Sequence, residues 1–266
     1  MRYATHTPPS DLAHLVRFWW TLESDAGITA PHRLTAECCP NIVTIVQGRF
    51  TEADGSPSPP VHLAGALPHA VDNVAHGPFS LFGVYLWPWA VQPLFDRSPA
   101  TCFARFIALD ELWGNACTGL SEALLNASDH SRRITIMSGA LRERSAQGSE
   151  SDPILADIVQ RMIEAQGLLS VQEALQHCGL ARRQFERRFK ACTGFSPALF
   201  LRILRFQSTY RLLEHGEASS LTDLAMAAGY FDQSHFIRDF KRFSGMNPRD
   251  YFAKAPDKVD NFVRLP

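Results

Sequence analysis

The chain has 266 residues, of which 45% are hydrophobic and 20% charged, and its formal net charge is −1 at pH 7. This is ordinary globular composition, with enough residues for two domains that each have a core. The longest apolar run, Leu81–Val91, contains Pro88 and is too short to cross a bilayer, which excludes a membrane segment. The charge is uneven: residues 1–150 contain ten Lys and Arg against fourteen Asp and Glu, whereas residues 151–266 contain sixteen against thirteen.

The cysteines form no CxxC pair, and no secretory leader precedes them. A reduced, cytoplasmic protein is therefore expected. The six cysteines are Cys38, Cys39, Cys102, Cys117, Cys178 and Cys192.

The N-terminal half is predicted to be rich in β-structure, with helices after it. Pro9–Leu22 has helical spacing with Ser10 as a cap, although Phe18–Leu22 fits a buried strand equally well. Short β-type runs separated by Gly and Pro turns, such as Gly77-Pro78, favour a small barrel or sandwich. These runs are Ile42–Val46, Val61–Ala64, His69–Val74 and Leu81–Trp87. The predicted helices that follow are Ala90–Phe95, Ala108–Cys117, Leu120–Asn126 and Ser131–Arg144.

A polar, serine-rich stretch over residues 145–152 predicts a linker. We therefore expect an α+β protein of two domains. Residues 1–148 form a β-rich, barrel-like domain with a helical cap, and residues 149–266 form an all-α domain.

Few residues of the N-terminal half suggest chemistry. His62, His69 and His76 recur every seven residues, but neither a strand nor one continuous helix would place them together, so no metal site is predicted. Cys38 and Cys39 are expected to be a buried pair, because adjacent cysteines bridge each other only with strain. The aromatic residues between Phe79 and Trp89 are typical of a core, with a ligand cavity as the alternative. No GxSxG, HExxH, P-loop or GxGxxG motif occurs.

The C-terminal half repeats itself at an offset of 51 residues. Each unit is predicted to be a short helix, a turn and a second helix, which is the helix-turn-helix plan. The first unit comprises Val171–His177, capped by Ser170, and Ala181–Cys192. The second comprises Asp223–Ala227, begun by Thr222, and Asp232–Phe243. The aligned pairs include Ala174 with Ala225, Phe185 with Phe236, Phe189 with Phe240, Lys190 with Lys241, Gly194 with Gly245 and Pro197 with Pro248.

Two further helices complete the predicted domain. Asp152–Gln166 precedes the first unit and is expected to pack on it. Pro197–Glu214, ended by His215-Gly216, joins the two units as a linker helix. At 1.5 Å per residue it would be about 27 Å long, which suits two recognition helices held about one duplex turn apart.

The helix after Asp232 is amphipathic and basic. Phe236, Phe240 and Phe243 define its apolar face. Asp232 is placed to cap its start, and Gly245 to end it.

On these residues, 152–254 resemble the DNA-binding domain of the arabinose-operon regulator (AraC/XylS) family. The second unit carries most of the resemblance, through Gly229-Tyr230, the run Asp232–Phe236, Phe240-Lys241 and Asn247-Pro248. The first unit matches more loosely, because Ala181 stands where the family usually has a capping Ser. The N-terminal half is similar, less specifically, to the effector domains of such regulators.

The resemblance implies base-reading positions on the exposed N-terminal face of each second helix. Arg pairs with G, Gln with A, and Glu accepts from C, so the residue types agree. The implied base-reading residues are Arg182, Arg183, Glu186 and Arg187 in the first unit, and Gln233, Ser234 and Arg238 in the second. The residues better suited to phosphates are Arg188, Lys190, Lys241, Arg242 and Arg249.

The resemblance implies a transcriptional regulator without cofactor or enzymatic activity, whose partner is double-stranded DNA. RNA polymerase, a small-molecule effector and a second copy of the chain are further partners that it allows. The alternative is a bifunctional DNA-binding enzyme with a metal-dependent or cysteine-dependent N-terminal domain, for which Cys38 or Cys39 would be the reactive residue.

Overall fold

The computed structural model describes residues 1–25, 32–214 and 220–254. Within these residues, a β-rich N-terminal part is followed by an entirely helical C-terminal part. The strands are β1 (Arg2–His6), β2 (Val16–Ser24), β3 (His32–Leu34), β4 (Asn41–Glu52), β5 (Val61–Ala64), β6 (Val71–Leu86) and β7 (Phe106–Ala108). The helices are α1 (Val91–Phe95), α2 (Leu109–Trp113), α3 (Leu120–Leu125), α4 (His130–Gln147), α5 (Pro153–Glu164), α6 (Val171–Cys178), α7 (Arg182–Thr193), α8 (Pro197–Glu214), α9 (Leu221–Ala227), α10 (Gln233–Ser244) and α11 (Pro248–Lys254).

The strands form one antiparallel sheet in the order β1-β2-β6-β4-β5-β7, with β3 paired to β6. The long strand β6 organises it, because its first half pairs with β3 and its second half with β2, while β4 runs along its other edge. The pairing of β4 with β6 shifts register around Gly48. A Cβ on Gly48 would lie 2.9 Å from the Pro78 carbonyl oxygen, so the two strands bend together at a close approach.

Alternating side chains give the sheet two buried faces. On β6, Phe82 and Val84 pack under the helices that follow the sheet, together with Trp19 of β2. Leu81 and Tyr85 point to the opposite face, whose core is continuous with that of the C-terminal helices. A strand with both faces covered reads as a nearly continuous apolar run.

Three expectations for the N-terminal part are wrong. Residues 9–22 are not a helix, because Val16–Ser24 is a strand and the alternative for Phe18–Leu22 is correct. Gly77-Pro78 bends β6 instead of ending it, so two predicted strands are one. The predicted helix Ala108–Cys117 is divided into the end of β7, α2 and a 3-10 turn. The β-rich body with a helical cap is confirmed.

The C-terminal helices begin and end at the signals the sequence carries. Ser170 and Glu173 form a reciprocal capping box at the start of α6. The backbone N–H of His235 donates to the Asp232 carboxylate at 2.6 Å, which caps α10. Gly194 and Gly245 end the second helix of each unit in the left-handed region.

Two details of this part differ from expectation. Helix α9 is capped by Ser220, not begun by Thr222. Helix α8 has the predicted bounds but is not an open rod, because Gln207, Ser208 and Thr209 are buried beside its leucines. The expected stop at His215-Gly216 lies outside the described residues. No helix among the described residues is long and apolar enough to cross a membrane.

The two parts pack directly against each other. The Phe103 ring lies 4.4 Å from that of Phe195 between centroids. The backbone N–H of Ala36 donates to the Phe243 carbonyl at 2.9 Å. The N-terminal part therefore contacts the second helix of each unit near its C-terminal end.

Candidate nucleic-acid interface

Helices α7 and α10 each present a buried aromatic face and an exposed polar face. Phe185 and Phe189 of α7, and Phe236 and Phe240 of α10, are fully buried. The expectation that these rings belong to the core is confirmed. Ala174 and Ala225, on the preceding helices, are also fully buried, as expected where two helices approach closely.

The N-terminal half of α7 is exposed and strongly basic. Arg182 Nε donates to Glu186 Oε1 at 3.0 Å across one helical turn, and both side chains are largely exposed. Such an exposed pair contributes less than about 1 kcal/mol and rearranges easily when a ligand arrives. Arg183 and Arg187 are exposed beside it, so the four predicted base-reading residues of the first unit lie on one face.

This face borders a shallow cleft next to the start of α8. The cleft is lined by Arg183, Arg187, Lys190 and Ser196, together with the pair described above. Its excess of positive charge suits a phosphate-bearing partner.

The exposed face of α10 corresponds to that of α7 but carries fewer predicted base-reading residues. Ser234 and Arg238 are exposed, and Gln233 is half-buried at the first position of the helix. Asp239, the acid of this helix, is 1% exposed and is held by Arg202 of α8, so it does not offset the exposed positive charge.

The predicted phosphate-binding residues fall into two environments. Lys190, Lys241, Arg242 and Arg249 are exposed. Arg188, in contrast, turns toward α5, where its Nε donates to Asp152 Oδ2 at 2.8 Å. The same carboxylate caps α5 by accepting from the Leu155 N–H at 3.3 Å, so Arg188 ties α7 to α5.

Sequence reasoning missed Phe231, which is 88% exposed immediately before the cap of α10. Its neighbour Tyr230 is 3% exposed, so the two aromatic residues of the turn point in opposite directions. A signal was available, because Phe231 lies outside the helical apolar spacing of Phe236 and Phe240. A fully exposed aromatic side chain beside a basic helix face is a candidate contact residue.

The N-terminal histidines are not brought together as a metal site. His62 is 4% exposed and hydrogen-bonds to the Pro59 carbonyl through Nδ1 at 2.6 Å, and burial lowers its pKa to about 4. His69 is exposed in the bend before β6, and His76 is exposed on β6. No group of three metal-ligating side chains occurs within residues 1–25, 32–214 and 220–254.

All six cysteines are free. Cys38 is fully buried, and Cys39 is 2% exposed. Burial raises the pKa of both thiols, that of Cys39 to about 12, so neither carries a reactive thiolate at neutral pH.

Comparison with known proteins places the two parts in different families. Residues 174–254 match a family described as a helix-turn-helix domain, and residues 4–107 match a domain of unknown function (DUF6597). Over 71 residues, the chain is 39% identical to the HTH-type transcriptional activator RhaS of Escherichia coli, a match that covers 27% of this chain. It covers only 25% of that relative, so the chain spans about a quarter of the length of the curated relatives it matches.

Among solved structures, the chain is similar to ToxT from Vibrio cholerae, with a TM-score of 0.51 and 10% sequence identity. The superposition covers 95% of this chain and 98% of that one. At this low identity the likeness concerns the fold, and it extends over both parts.

Proposed function

Because the chain belongs to the AraC/XylS family of helix-turn-helix proteins, we propose that it is a sequence-specific DNA-binding regulator of transcription. It reads two adjacent major-groove segments, one with α7 and one with α10. The observation that carries the proposal is the repeated geometry: two helices, 51 residues apart and each ended by a left-handed glycine, bury their phenylalanines and expose their polar N-terminal halves. Reading by a second helix in the major groove is the helix-turn-helix mode.

The side chains on the two exposed faces suit base edges. Arg182, Arg183 and Arg187 offer bidentate donors to guanine, and Glu186 accepts from cytosine. In the second unit Arg238 takes the guanine role, while Gln233 fits adenine and Ser234 fits either donor or acceptor.

Phosphates are the proposed partners of the remaining exposed cations. Lys190, Lys241, Arg242 and Arg249 are free to reach the backbone from the two units. The ion pair with Asp152 makes Arg188 a weaker candidate than the others. Counting the arginines of the base-reading faces as well, α7 carries five basic residues and α10 three, so salt should weaken the half of the interface at α7 most.

The N-terminal part is proposed to regulate the DNA-binding part, with the division near residue 148. A small-molecule effector, a second copy of the chain and RNA polymerase are its candidate partners. The alternative of a cysteine-dependent enzyme gains no support from Cys38 and Cys39, because both thiols are buried and protonated at neutral pH.

The recognition assignment predicts the behaviour of two single variants. Arg187→Ala and Arg238→Ala are each expected to weaken binding to the operator by about 1–3 kcal/mol and to relax base preference at positions about one turn apart. Once genomic immunoprecipitation has located an operator, fluorescence anisotropy on base-substituted duplexes measures both effects. Arg161→Ala, on the exposed face of α5, is the matched control. Normal operator binding by either variant would refute that residue's role.

Phe231 is proposed to contact the DNA at the start of α10. Replacing it with alanine removes an 88% exposed ring, so the expected loss of stability is within about 0.5 kcal/mol. Operator affinity is expected to fall about threefold to thirtyfold, in line with one lost apolar or stacking contact. Anisotropy titrations and thermal melts of the same preparation separate the two effects. Unchanged affinity would remove Phe231 from the interface.

A further inference from the structure

A partly open cavity of about 110 Å³ lies on the face of the sheet that looks toward the C-terminal helices. Its wall is mainly apolar, with Trp20, Phe50 and Phe106 as its largest side chains. An engineered apolar cavity of about 150 Å³ binds benzene, so this smaller but partly open space suits a molecule of no more than about one ring.

The polar groups in the wall are mostly hydrogen-bond acceptors. Asn73 is 5% exposed and donates through Nδ2 to Ser58 Oγ at 3.3 Å, while its Oδ1 has no partner among the described residues. His62 is neutral above about pH 4, and since its Nδ1 donates to a carbonyl, Nε2 is left as an acceptor. The buried Asn73 Oδ1 therefore favours an occupant that supplies a hydrogen-bond donor.

The charge of the wall excludes an anion. Glu37 lines the cavity. Burial raises its pKa, although the hydrogen bonds that it accepts act in the opposite direction. No Lys or Arg is among the described lining residues. A carboxylate ligand would therefore be desolvated with no Lys or Arg among the described lining residues to pair with it.

One wall of the cavity is the segment Leu34–Cys39, in which Leu34 also lines the cavity and the residues alternate in direction from Thr35 to Cys39. Thr35, Glu37 and Cys39 line the cavity. Ala36 and Cys38 are fully buried on the other side, against the C-terminal helices. The same short backbone segment therefore carries side chains that line the cavity and side chains that contact the helices.

The side facing the helices touches both helix-turn-helix units. The N–H of Ala36 donates to the carbonyl of Phe243, which lies in α10 of the second unit. The Cys38 thiol donates to the Phe200 carbonyl of α8 at 3.7 Å, next to the first unit. Gln207, also on α8, donates to the Ala36 carbonyl at 3.5 Å and hydrogen-bonds to Glu37.

Two further contacts between the N-terminal and C-terminal parts lie at the ends of α7 and α10. A Cβ on Gly245, which ends α10, would lie 3.0 Å from the guanidinium of Arg33. A Cβ on Gly194, which ends α7, would lie 2.6 Å from the Phe103 ring. The predicted base-reading residues lie in the N-terminal halves of the same two helices. The N-terminal part of the chain therefore contacts each helix at the end away from these residues.

We propose that this cavity is an effector site for a small uncharged molecule of about one ring that carries a hydrogen-bond donor. The occupant acts on the two recognition helices through the segment Leu34–Cys39. This inference rests on the proposed regulatory function and specifies its ligand chemistry and its route.

Three probes of one size test the ligand class on the full chain. Saturation-transfer NMR titrations use p-cresol, toluene and 4-methylbenzoate. We expect saturable binding of p-cresol, binding of toluene about fivefold weaker because it has no donor, and no saturable binding of 4-methylbenzoate. Equal binding of the benzoate would overturn the proposed class.

Two variants test the location. Val43→Phe fills the cavity from β4 and should abolish p-cresol binding. Asn73→Leu should reduce p-cresol to the affinity of toluene. Circular dichroism verifies that each variant is folded, and either one is sufficient if the other does not fold. Wild-type affinity for p-cresol in a folded Val43→Phe protein would refute the site.

Hydrogen exchange tests the coupling. Saturating p-cresol is expected to change exchange at least twofold in peptides that cover Ala36, Gln207 and Phe243, and to leave α3 unchanged. Gln207→Leu should suppress the change in α8 while preserving p-cresol affinity. A change confined to the strands would overturn the proposed route. None of these measurements uses DNA. The proposed function is tested separately by anisotropy with operator DNA and no small molecule, so a failure of DNA binding and a failure of ligand binding are distinguishable.

Discussion

Replacing Arg202 with methionine is expected to destabilise the helical C-terminal part by about 3–5 kcal/mol. Arg202 of α8 donates from Nε to Asp239 Oδ2 at 3.0 Å and from a second guanidinium nitrogen to Oδ1. Asp239 is 1% exposed, and the hydrogen bond with it raises the pKa of Arg202. Without the guanidinium, the buried carboxylate retains the contact with His235, whose Nε2 lies 3.6 Å away.

Two companion variants make this result interpretable. Arg161→Met breaks the exposed pair with Asp157 on α5 and should cost less than about 0.5 kcal/mol. The double variant Arg202→Met/Asp239→Leu removes both buried charges and should recover most of the stability. A loss below about 1 kcal/mol in the single variant would show that Asp239 is not dependent on Arg202.

Circular dichroism at 222 nm during urea unfolding is the suitable measurement for these variants. All five tryptophans lie at or before Trp113, so tryptophan fluorescence follows the N-terminal part instead. Recording both signals tells whether the loss is confined to the helical part or spreads through the contact between the two parts.

Phe206→Ala is expected to cost about 3–5 kcal/mol in the same assay, with reduced DNA affinity as a consequence. Phe206 is fully buried on α8, with ring centroids at 5.2 Å from Phe240 and 5.5 Å from Phe243. Both partners belong to α10, so the deletion leaves a cavity beneath the second recognition helix. Phe206→Leu, which retains most of the volume, should cost much less.

Phe231→Ala is the matched control for stability, because it truncates the same residue type immediately before α10. Its side chain is exposed, so its stability should stay within about 0.5 kcal/mol of wild type. If Phe206→Ala were equally mild, α10 would be supported by other contacts than the α8 core.

Much of the helical C-terminal part could be predicted because its signals are local and repeated. Pro197–Glu214, the linker helix, has the predicted bounds. The cap at Asp232 and the left-handed glycines at 194 and 245 follow from residue chemistry that acts within one helical turn. The 51-residue repeat supplied a second, independent reading of each element.

The N-terminal part was harder to predict because both faces of its sheet are buried. Val16–Ser24 has Trp19 and Trp20 buried on opposite sides, so no alternation distinguishes it from a helix. Gly77-Pro78 has turn chemistry, yet here it bends β6, because β4 remains paired on both sides of the bend.

The sequence by itself determined the family, the helix-turn-helix repeat and the basic faces of α7 and α10, since these depend on spacing and on capping within a few residues. Only the tertiary structure decided which charges are free. Asp152 pairs with Arg188, and Arg202 pairs with Asp239, and the two residues of each pair are more than thirty positions apart in the chain. The same holds for Leu34–Cys39, whose neighbours Phe200 and Phe243 lie over 160 residues later. Long-range contacts depend on how finished elements pack, and no local pattern records that.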